Sequence, residues 1–563
     1  MSVEIENQLE QIEEYIINDN FSDALRIIKK LPSIEKITTE DELIGLALKC
    51  EILNKQGDFD KANKLADEIL NKSKEIKDAK IVKIDALIQK SYAEALLGKY
   101  GVASACFKEA DFIFEKLSNY STKEIEKRKA KYYNSQSNFY FSRWNLSEGL
   151  KYAKKCLRIA KKIKNQELIL ISNFYLTSFY LYKRDYEMLE KKLVGYKKLA
   201  ESYQSDLFIG LGYFLQADLI RFTVFDFQKA IETYQKCISY LEKSGSKYIL
   251  YTIYSNFGGL YRDMFELDEA LECYQKSLEL IKVKPALGIV KNHLGSIYRL
   301  KGDFDEALEN YLEALKLFNQ MDMTFLIPGQ LYSIIEIFVE KDNLKEAKKY
   351  LKQFEQFSNK TDMKSSKHVY KYCNALVLKA SKGYSNLANA ILIFKELLET
   401  DLSIDWIIKI VLNLTEILLW ELEETDDPNT IAEVSKYLKQ LQDIAGEYQY
   451  NFFRIDVSNL LANFHLYVSN YGEALDVLND TLLLASEKGL LMYVTEIEEE
   501  IRNITTKINY LKKLDVESLT IEQKEILSNL QERHKDIQTK TKLEKRDNMG
   551  EIIGYEAIFA VSF

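Results

Sequence analysis

Proline is scarce in this chain, which has only 4 prolines among 563 residues. Proline interrupts helices, so its near absence is typical of an almost entirely helical protein. No run of proline, glycine or serine marks a flexible linker. A chain of this length would ordinarily divide into several globular domains, but an array of repeats grows by adding neighbours and needs no single large core.

Cysteine is also rare, and the 6 cysteines never occur as a closely spaced pair. The missing ligand spacing argues against a disulfide framework and against a zinc site. Reduced, scattered thiols are typical of a cytoplasmic protein, which is the location we expect. The six residues are Cys50, Cys106, Cys156, Cys237, Cys273 and Cys373.

Catalytic signatures are missing as well. The 4 histidines belong to no nucleophile elbow and no HExxH pair, and the chain has no glycine-rich phosphate loop. Aspartate and glutamate are so abundant that adjacent carboxylates carry no information about acid or base catalysis. We therefore expect no enzyme, no cofactor and no bound metal. His293 has two interpretations, a residue that contacts a ligand or a partly buried structural histidine.

Long hydrophobic runs and one-sided charge are lacking too. The most apolar stretch, residues 407–420, is interrupted by polar side chains and is shorter than the roughly 20 residues of a membrane span. We expect a buried helix there and no membrane association. The net charge is −9, with 77 basic and 86 acidic residues along the whole chain. Without a basic surface, direct nucleic-acid binding is not expected.

A repeated pattern of small and aromatic residues is what the chain does contain. Residues 294–318 read LGSIYRLKGDFDEALENYLEALKLF, and residues 257–280 read FGGLYRDMFELDEALECYQKSLEL, with matching residue types at the same offsets. Gly295 and Ala307 fall where two helices of one hairpin would cross. Only small side chains allow two helix backbones to approach to about 8 to 10 Å.

The position of Ala307 recurs along the chain every 37 to 46 residues. We call the recurring residue the anchor of each hairpin, and it predicts about twelve helical hairpins. The anchors are Ala24, Ala62, Ala103, Gly149, Leu189, Ala230, Ala270, Ala307, Ala347, Ala390, Val434 and Ala474.

The two phrases resemble the tetratricopeptide repeat, in the longer form found in bacterial signalling and scaffold proteins. The usual repeat has about 34 residues. The resemblance implies an all-α, right-handed α-solenoid over residues 5–488, in which the first helix of each hairpin lines a concave groove. It also implies a non-enzymatic scaffold or sensor that binds a peptide or a protein through that groove, in bacterial intracellular signalling.

Asparagine and arginine occupy the positions that the resemblance assigns to the groove. Asparagine offers a donor and an acceptor to a peptide backbone, and arginine offers a fork to a carboxylate. The lysine and asparagine pattern of the chaperone-tail clamp is not matched, because Ser255 and Asn292 stand where lysine would be needed. The asparagines have an alternative role in bonding to helix ends or to water. The predicted groove residues are Asn134, Asn138, Asn256, Arg262, Asn292, Arg299, Asn459 and Asn463.

The C-terminal part changes pattern after the last anchor. Residues 494–511 carry apolar residues at a strict heptad spacing, which indicates a coiled coil and a homodimer, or else a last helix that covers the end of the array. We expect residues 489–546 to be a helical extension, with a second helix from Ile521 to about Arg546, and residues 547–563 to be a short apolar tail. An alternative function is a regulatory protein that acts on a transcription or kinase pathway through these C-terminal helices. A helical enzyme with an unrecognised site is a further alternative.

Overall fold

The computed structural model of the protein describes residues 3–17, 20–34, 37–76, 79–117, 122–223, 226–244, 247–264, 266–281, 283–321, 323–361, 363–425, 428–448, 451–467, 470–487, 491–513, 542–546 and 552–557. These residues form 25 α-helices, two short 3-10 helices (Leu31–Ser33 and Ser73–Glu75) and two β-strands. The chain divides into two compact units, residues 1–356 and 357–563.

The helices that begin in the first unit are α1 (Val3–Ile17), α2 (Phe21–Lys30), α3 (Thr39–Lys55), α4 (Phe59–Lys72), α5 (Lys80–Leu96), α6 (Tyr100–Phe114), α7 (Thr122–Ser142), α8 (Leu146–Ile163), α9 (Gln166–Tyr182), α10 (Tyr186–Tyr203), α11 (Asp206–Thr223), α12 (Phe227–Ser244), α13 (Lys247–Asp263), α14 (Leu267–Leu280), α15 (Lys284–Leu300), α16 (Phe304–Gln320), α17 (Ile327–Glu340) and α18 (Leu344–Lys360). The helices of the second unit are α19 (Lys364–Ala380), α20 (Tyr384–Leu398), α21 (Ile404–Thr425), α22 (Pro428–Tyr448), α23 (Asn451–Tyr467), α24 (Tyr471–Glu487) and α25 (Leu491–Lys513). Its strands are β1 (Lys542–Arg546) and β2 (Ile552–Ala557). Among the described residues, no helix combines the length and the apolar character needed to cross a bilayer.

The twelve predicted hairpins are confirmed as α1 with α2, α3 with α4, and so on to α23 with α24. Every anchor lies on an even-numbered helix and is buried, including the large anchors Leu189 and Val434. The predicted all-α repeat fold is therefore correct. Small anchors dominate because the two helices of a hairpin cross at these residues.

Glycine opposite tyrosine explains the tight crossing inside two of the hairpins. A side-chain carbon added at Gly295 would lie 2.6 Å from the ring of Tyr311, and one added at Gly258 would lie 3.0 Å from the ring of Tyr274. The glycine is on the first helix and the tyrosine on the second helix of the same hairpin. The two buried rings occupy the space that any larger residue at the glycine would need.

In six hairpins the described turn has a left-handed residue five positions before the anchor. Gly57, Gly98 and Gly302 fill this position with φ between 77° and 80°. In the α7–α8 turn the same position holds Trp144, with φ of 57°. A bulky residue in this conformation is uncommon, because its Cβ crowds the backbone. Trp144 therefore occupies a place that the backbone favours for glycine.

The first unit curls so that hairpins distant in sequence touch. Phe59 and Ala93, from the second and third hairpins, share a buried apolar cluster with Val283 and Ala286 at the start of α15. A side-chain carbon at Gly98 would lie 3.0 Å from the ring of Pro285, which shows how closely the α5–α6 turn approaches α15. This contact encloses space between the hairpins of the first unit.

The C-terminal part of the second unit differs from the sequence expectation in one segment. The predicted second helix was to reach Arg546, but Lys542–Arg546 form a strand that pairs antiparallel with Ile552–Ala557. The intervening sequence contains Asp547, Asn548 and Gly550, which are turn-forming residue types. Isoleucine and tyrosine in β2 also favour a strand. The rest of the predicted helix, from 521 to 541, lies outside the described residues.

The heptad seam is buried within its own unit where the structure describes it. Ile497, Ile501 and Ile504 on α25 pack in one core with Leu478 and Leu482 on α24. These three isoleucines therefore cover the end of the repeat array, as one of the two interpretations had it. A homodimer through residues 494–511 would have to displace this packing. Ile508 and Leu511 lie where the structure describes no side chains.

Candidate functional site

All eight predicted groove residues lie on odd-numbered helices, but the structure does not gather them into one site. Asn134 and Asn138 are on α7, and the other six are on α13, α15 and α23. Asn459 and Asn463 belong to the second unit, where they line a cleft of about 350 Å³ together with Glu496 and Glu500. The remaining six residues lie in several separate environments of the first unit.

The two arginines are engaged by neighbouring carboxylates. Arg299 donates from Nε to both carboxylate oxygens of Glu340, at 3.0 and 2.9 Å, and its Nη1 lies 3.2 Å from Glu336. Arg262 donates from Nε and Nη2 to Asp263, at 3.2 and 2.9 Å. The two guanidinium groups that were predicted to bind a ligand carboxylate therefore pair with carboxylates of the protein itself.

A buried ionic network explains the environment of Asn256. Arg221 on α11 donates from Nε to Asp263 at 2.9 Å and from Nη2 to the carbonyl of Gly259, also at 2.9 Å. Its Nη1 donates to the carbonyl oxygen of Asn256. The side chain of Asn256 donates to the carbonyl of Thr252 one turn earlier. Asn256 therefore contributes to the internal packing of α13.

Asn134 lines a small polar cleft between α3, α5, α7 and α9. Two ion pairs border it, Lys131 with Glu51 at 2.7 Å and Lys55 with Glu167. Burial favours the neutral acid, but Lys131 and Lys55 outweigh it and lower the pKa of Glu51. The cleft holds only about 100 Å³, which is the space of a few water molecules.

Asn138 has a tyrosine as its partner. The hydroxyl of Tyr175 on α9 donates to Oδ1 of Asn138 at 3.1 Å. Its Nδ2 is buried and has no hydrogen-bond partner among the described residues. Asn138 therefore bonds to a side chain of a neighbouring helix, whereas the side chain of Asn256 bonds within its own helix, and neither bonds to a helix end.

A cleft of about 680 Å³ in the first unit, which we call the chamber, is the candidate site. Its walls come from α5, α6, α7 and α9 on one side and from α13, α15, α16 and α17 on the other. The chamber is lined by Ala95, Leu96, Tyr100, Phe141, Ser142, Trp144, Tyr182, Tyr251, Val283, Pro285, Ala286, Ile289, Asn292, His293, Phe318, Met323, Phe325, Leu326, Gly329, Gln330 and Ser333. Among the predicted residues, only Asn292 lies in this wall.

Large apolar side chains are exposed inside the chamber. Trp144, Tyr182 and Ile289 are 51%, 44% and 38% exposed. The rings of Trp144 and Tyr182 meet edge to face at 4.9 Å and form one continuous aromatic surface. When a ligand covers exposed aromatic surface in a concave site, the burial of that surface makes the free energy of binding more favourable.

Gln330 on α17 is a buried residue of the chamber wall. Only 1% of its surface is exposed, and neither Oε1 nor Nε2 has a hydrogen-bond partner among the described residues. A buried donor or acceptor left without a partner costs about 1 to 3 kcal/mol. The presence of a buried polar group that lowers stability in this way is accounted for when a ligand makes its missing hydrogen bonds.

His293 is the titratable imidazole of the chamber, and it is neutral at physiological pH. Burial is the main reason that its pKa falls to about 3, and the positive charges of Arg262 and Arg221 lower it further. Its ring stacks on Tyr274 with centroids 5.4 Å apart. His293 is thus both packed in the fold and part of the chamber wall, which combines the two interpretations of this residue.

Sequence reasoning missed Trp144, Tyr182 and Gln330. One signal was present for Trp144, because it replaces the glycine found at the same turn position in other hairpins. Nothing in the local pattern distinguishes Gln330 from a surface glutamine. The described residues contain no group of three or more His, Cys, Asp or Glu placed to hold a metal ion. All six cysteines are buried.

Comparison with known proteins gives one family match. Residues 249–320 match the profile of the tetratricopeptide repeat. No curated protein sequence matches the chain.

Solved structures with a similar arrangement of helices share little sequence with the chain. The quorum sensor NprR in complex with its cognate peptide NprX is 13% identical, with a TM-score of 0.42, over 64% of this chain and 100% of that one. The apo form of NprR from B. thuringiensis is 16% identical, with a TM-score of 0.40, over 71% of this chain and 99% of that one. Aspartyl phosphate phosphatase F from Bacillus subtilis is 16% identical, with a TM-score of 0.37, over 63% of this chain and 94% of that one. Residues 249–320, which run from α13 to α16, are thus similar to the tetratricopeptide repeat.

Proposed function

We propose that this protein is a non-enzymatic binding protein that holds a peptide or a segment of a partner protein in the chamber of its first unit. The observation that carries the proposal is the exposed aromatic surface of Trp144 and Tyr182 inside a chamber of about 680 Å³. Pockets that enclose ligands usually measure about 300 to 1,000 Å³ and combine apolar walls with a few polar groups.

A peptide fits the polar groups of the chamber better than a purely apolar ligand does. Asn292 and Gln330 each carry a donor and an acceptor, which match the N–H and C=O of a peptide bond. Aromatic side chains provide large contact areas at a small cost in conformational entropy. The tetratricopeptide repeats at residues 249–320 supply three helices of the wall, α13, α15 and α16.

The same proposal includes a cellular role. We assign the protein to bacterial intracellular signalling in the cytoplasm, as a scaffold or sensor whose ligand is a peptide or protein. The cysteines, all buried and scattered along the chain, suit a reducing compartment. The remaining predicted asparagines, Asn459 and Asn463, stay a prediction for a separate contact in the second unit.

The proposal is tested by selecting displayed random heptapeptides on the 563-residue chain and on a Trp144→Gly variant. Glycine suits the left-handed backbone at this position, so the variant should fold while losing a wall of the chamber. We expect the enriched peptides to bind Trp144→Gly at least about tenfold more weakly.

A matched control is Asp342→Gly, which places the same residue in the equivalent turn between α17 and α18, outside the chamber. Binding by this variant should equal that of the unchanged chain. The proposal is wrong if no peptide is enriched, or if enriched peptides bind Trp144→Gly as tightly as Asp342→Gly.

A further inference from the structure

The residues of the chamber wall that the structure describes carry no formal charge. Its 21 lining residues include no lysine, arginine, aspartate or glutamate. The nearby arginines and acids, such as Arg262 and Asp263, pair with one another beside the chamber. A charged ligand group entering this space would lose its water without gaining an opposite charge, and such burial is strongly unfavourable.

Gln330 adds a specific polar requirement to this uncharged space. Its carboxamide is buried in the wall with both Oε1 and Nε2 unpartnered among the described residues. A carboxamide pairs in two directions, accepting at Oε1 and donating at Nε2. A peptide bond, or the side chain of an asparagine or glutamine, offers the complementary donor and acceptor within one planar group.

Resting on the proposed function, we infer that the chamber selects an uncharged, internal peptide segment with an aromatic or large aliphatic residue beside an amide that pairs with Gln330. The aromatic residue packs on Trp144 and Tyr182, which are exposed in the chamber. Gln330 is the specificity-determining residue, because an amide ligand satisfies its buried polar atoms and a ligand lacking that group leaves them unpaired. Free chain ends, with their carboxylate or ammonium group, are rejected. This differs from the sequence expectation that arginine forks grip a carboxylate.

The test measures binding of defined peptide pools to the 563-residue chain by equilibrium dialysis and mass spectrometry. One pool contains N-acetylated, C-amidated hexapeptides of Phe, Leu, Val, Ala, Asn and Ser. A second pool has one central Glu or Lys, and a third has free carboxylate ends. We expect the capped, uncharged pool to bind at least about tenfold more tightly than the other two.

Gln330→Met separates a binding role from a structural one. The substitution keeps the side-chain volume and removes the unpartnered amide, so the melting temperature should stay equal or rise while affinity falls about 10- to 100-fold. The matched control is Gln89→Met in the polar cleft, where the glutamine accepts a hydrogen bond from Asn54 at 2.9 Å. That variant should lose stability and keep its affinity for the peptides.

A backbone scan identifies the paired amide. Methylation of each peptide nitrogen in turn should weaken binding at one position, and this effect should disappear in Gln330→Met, because the bond to Gln330 is already lost. The inference is overturned if charged pools bind equally, if Gln330→Met keeps full affinity, or if N-acetylphenylalaninamide binds as tightly as the hexapeptides. If no pool binds at all, the proposed function itself is wrong.

Discussion

The guanidinium of Arg221 on α11 donates to the carboxylate of Asp263 on α13, with Nε 2.9 Å from Oδ2. Arg221 is almost fully buried, and Asp263 is its charged partner. We expect Asp263→Asn to destabilise the protein by about 3 kcal/mol, because it leaves a buried positive charge without its anion. Urea unfolding would measure this loss. The matched control is Asp268→Asn, which breaks the exposed pair with Lys301 and should cost under about 1 kcal/mol.

Gly295 provides a test of the close helix crossing. Gly295→Ala places a methyl group against the buried ring of Tyr311, so we expect a loss of about 1 to 3 kcal/mol in the free energy of unfolding. Gly101→Ala on α6 has no atom within 4 Å of the new methyl and should be neutral or stabilising by about 0.5 to 1 kcal/mol. Equal effects of the two substitutions, measured by thermal unfolding, would contradict the crossing geometry.

His293 predicts a dependence of stability on pH. Its pKa is about 3 in the folded protein and near 6.5 ordinarily, so between these values the unfolded chain binds a proton that the folded protein does not. Stability from this residue is therefore complete above pH 6.5 and falls as the pH drops towards 3.

His293→Phe keeps a ring on Tyr274 and removes the titration. The stability of this variant, measured by urea unfolding from pH 7 to pH 4, should fall less steeply than that of the unchanged chain. Asp218 acts in the opposite direction, because burial raises its pKa to about 6 against the attraction of Arg221, but it is present in both proteins. Parallel pH profiles would show that His293 is not held neutral by the fold.

Ile501 tests the two interpretations of the C-terminal seam. Its side chain is buried against α24, so we expect Ile501→Ala to destabilise the second unit by about 2 to 4 kcal/mol through the cavity it leaves. The oligomeric state, measured by light scattering after size-exclusion chromatography, should not change. A variant that keeps its stability while a dimer dissociates would instead favour the coiled coil.

The fold was predictable because its determinants are local. A hairpin is specified by a small anchor, a turn and an apolar stripe within about forty residues. The two weakest anchors, Leu189 and Val434, are buried in the same place as the clear ones. The strand at Lys542–Arg546 was missed because five residues rich in charge carry no helix or strand period of their own.

The site was much less predictable, because it depends on residues that meet only after the first unit has curled. Trp144 and Gln330 are 186 positions apart in the sequence, yet both line the chamber. Arg299 lies on an odd-numbered helix, as predicted, but its partners Glu336 and Glu340 come from the next odd-numbered helix. Spacing within one repeat identifies the face of the helix on which a residue lies. It does not show whether side chains of neighbouring helices already form hydrogen bonds or ion pairs with that residue.

The contact of the second and third hairpins with α15 restricts how this array can evolve. Repeat proteins ordinarily tolerate the gain or loss of a whole repeat, because each one touches only its neighbours. Here Ala93 packs with Ala286 across several intervening hairpins. Duplication or deletion of a single hairpin between them would bring a different helix opposite α5 and separate Trp144 from Gln330. Variation in the number of repeats is therefore expected outside the segment from α5 to α17, and lineages that keep the chamber should keep the length of that segment.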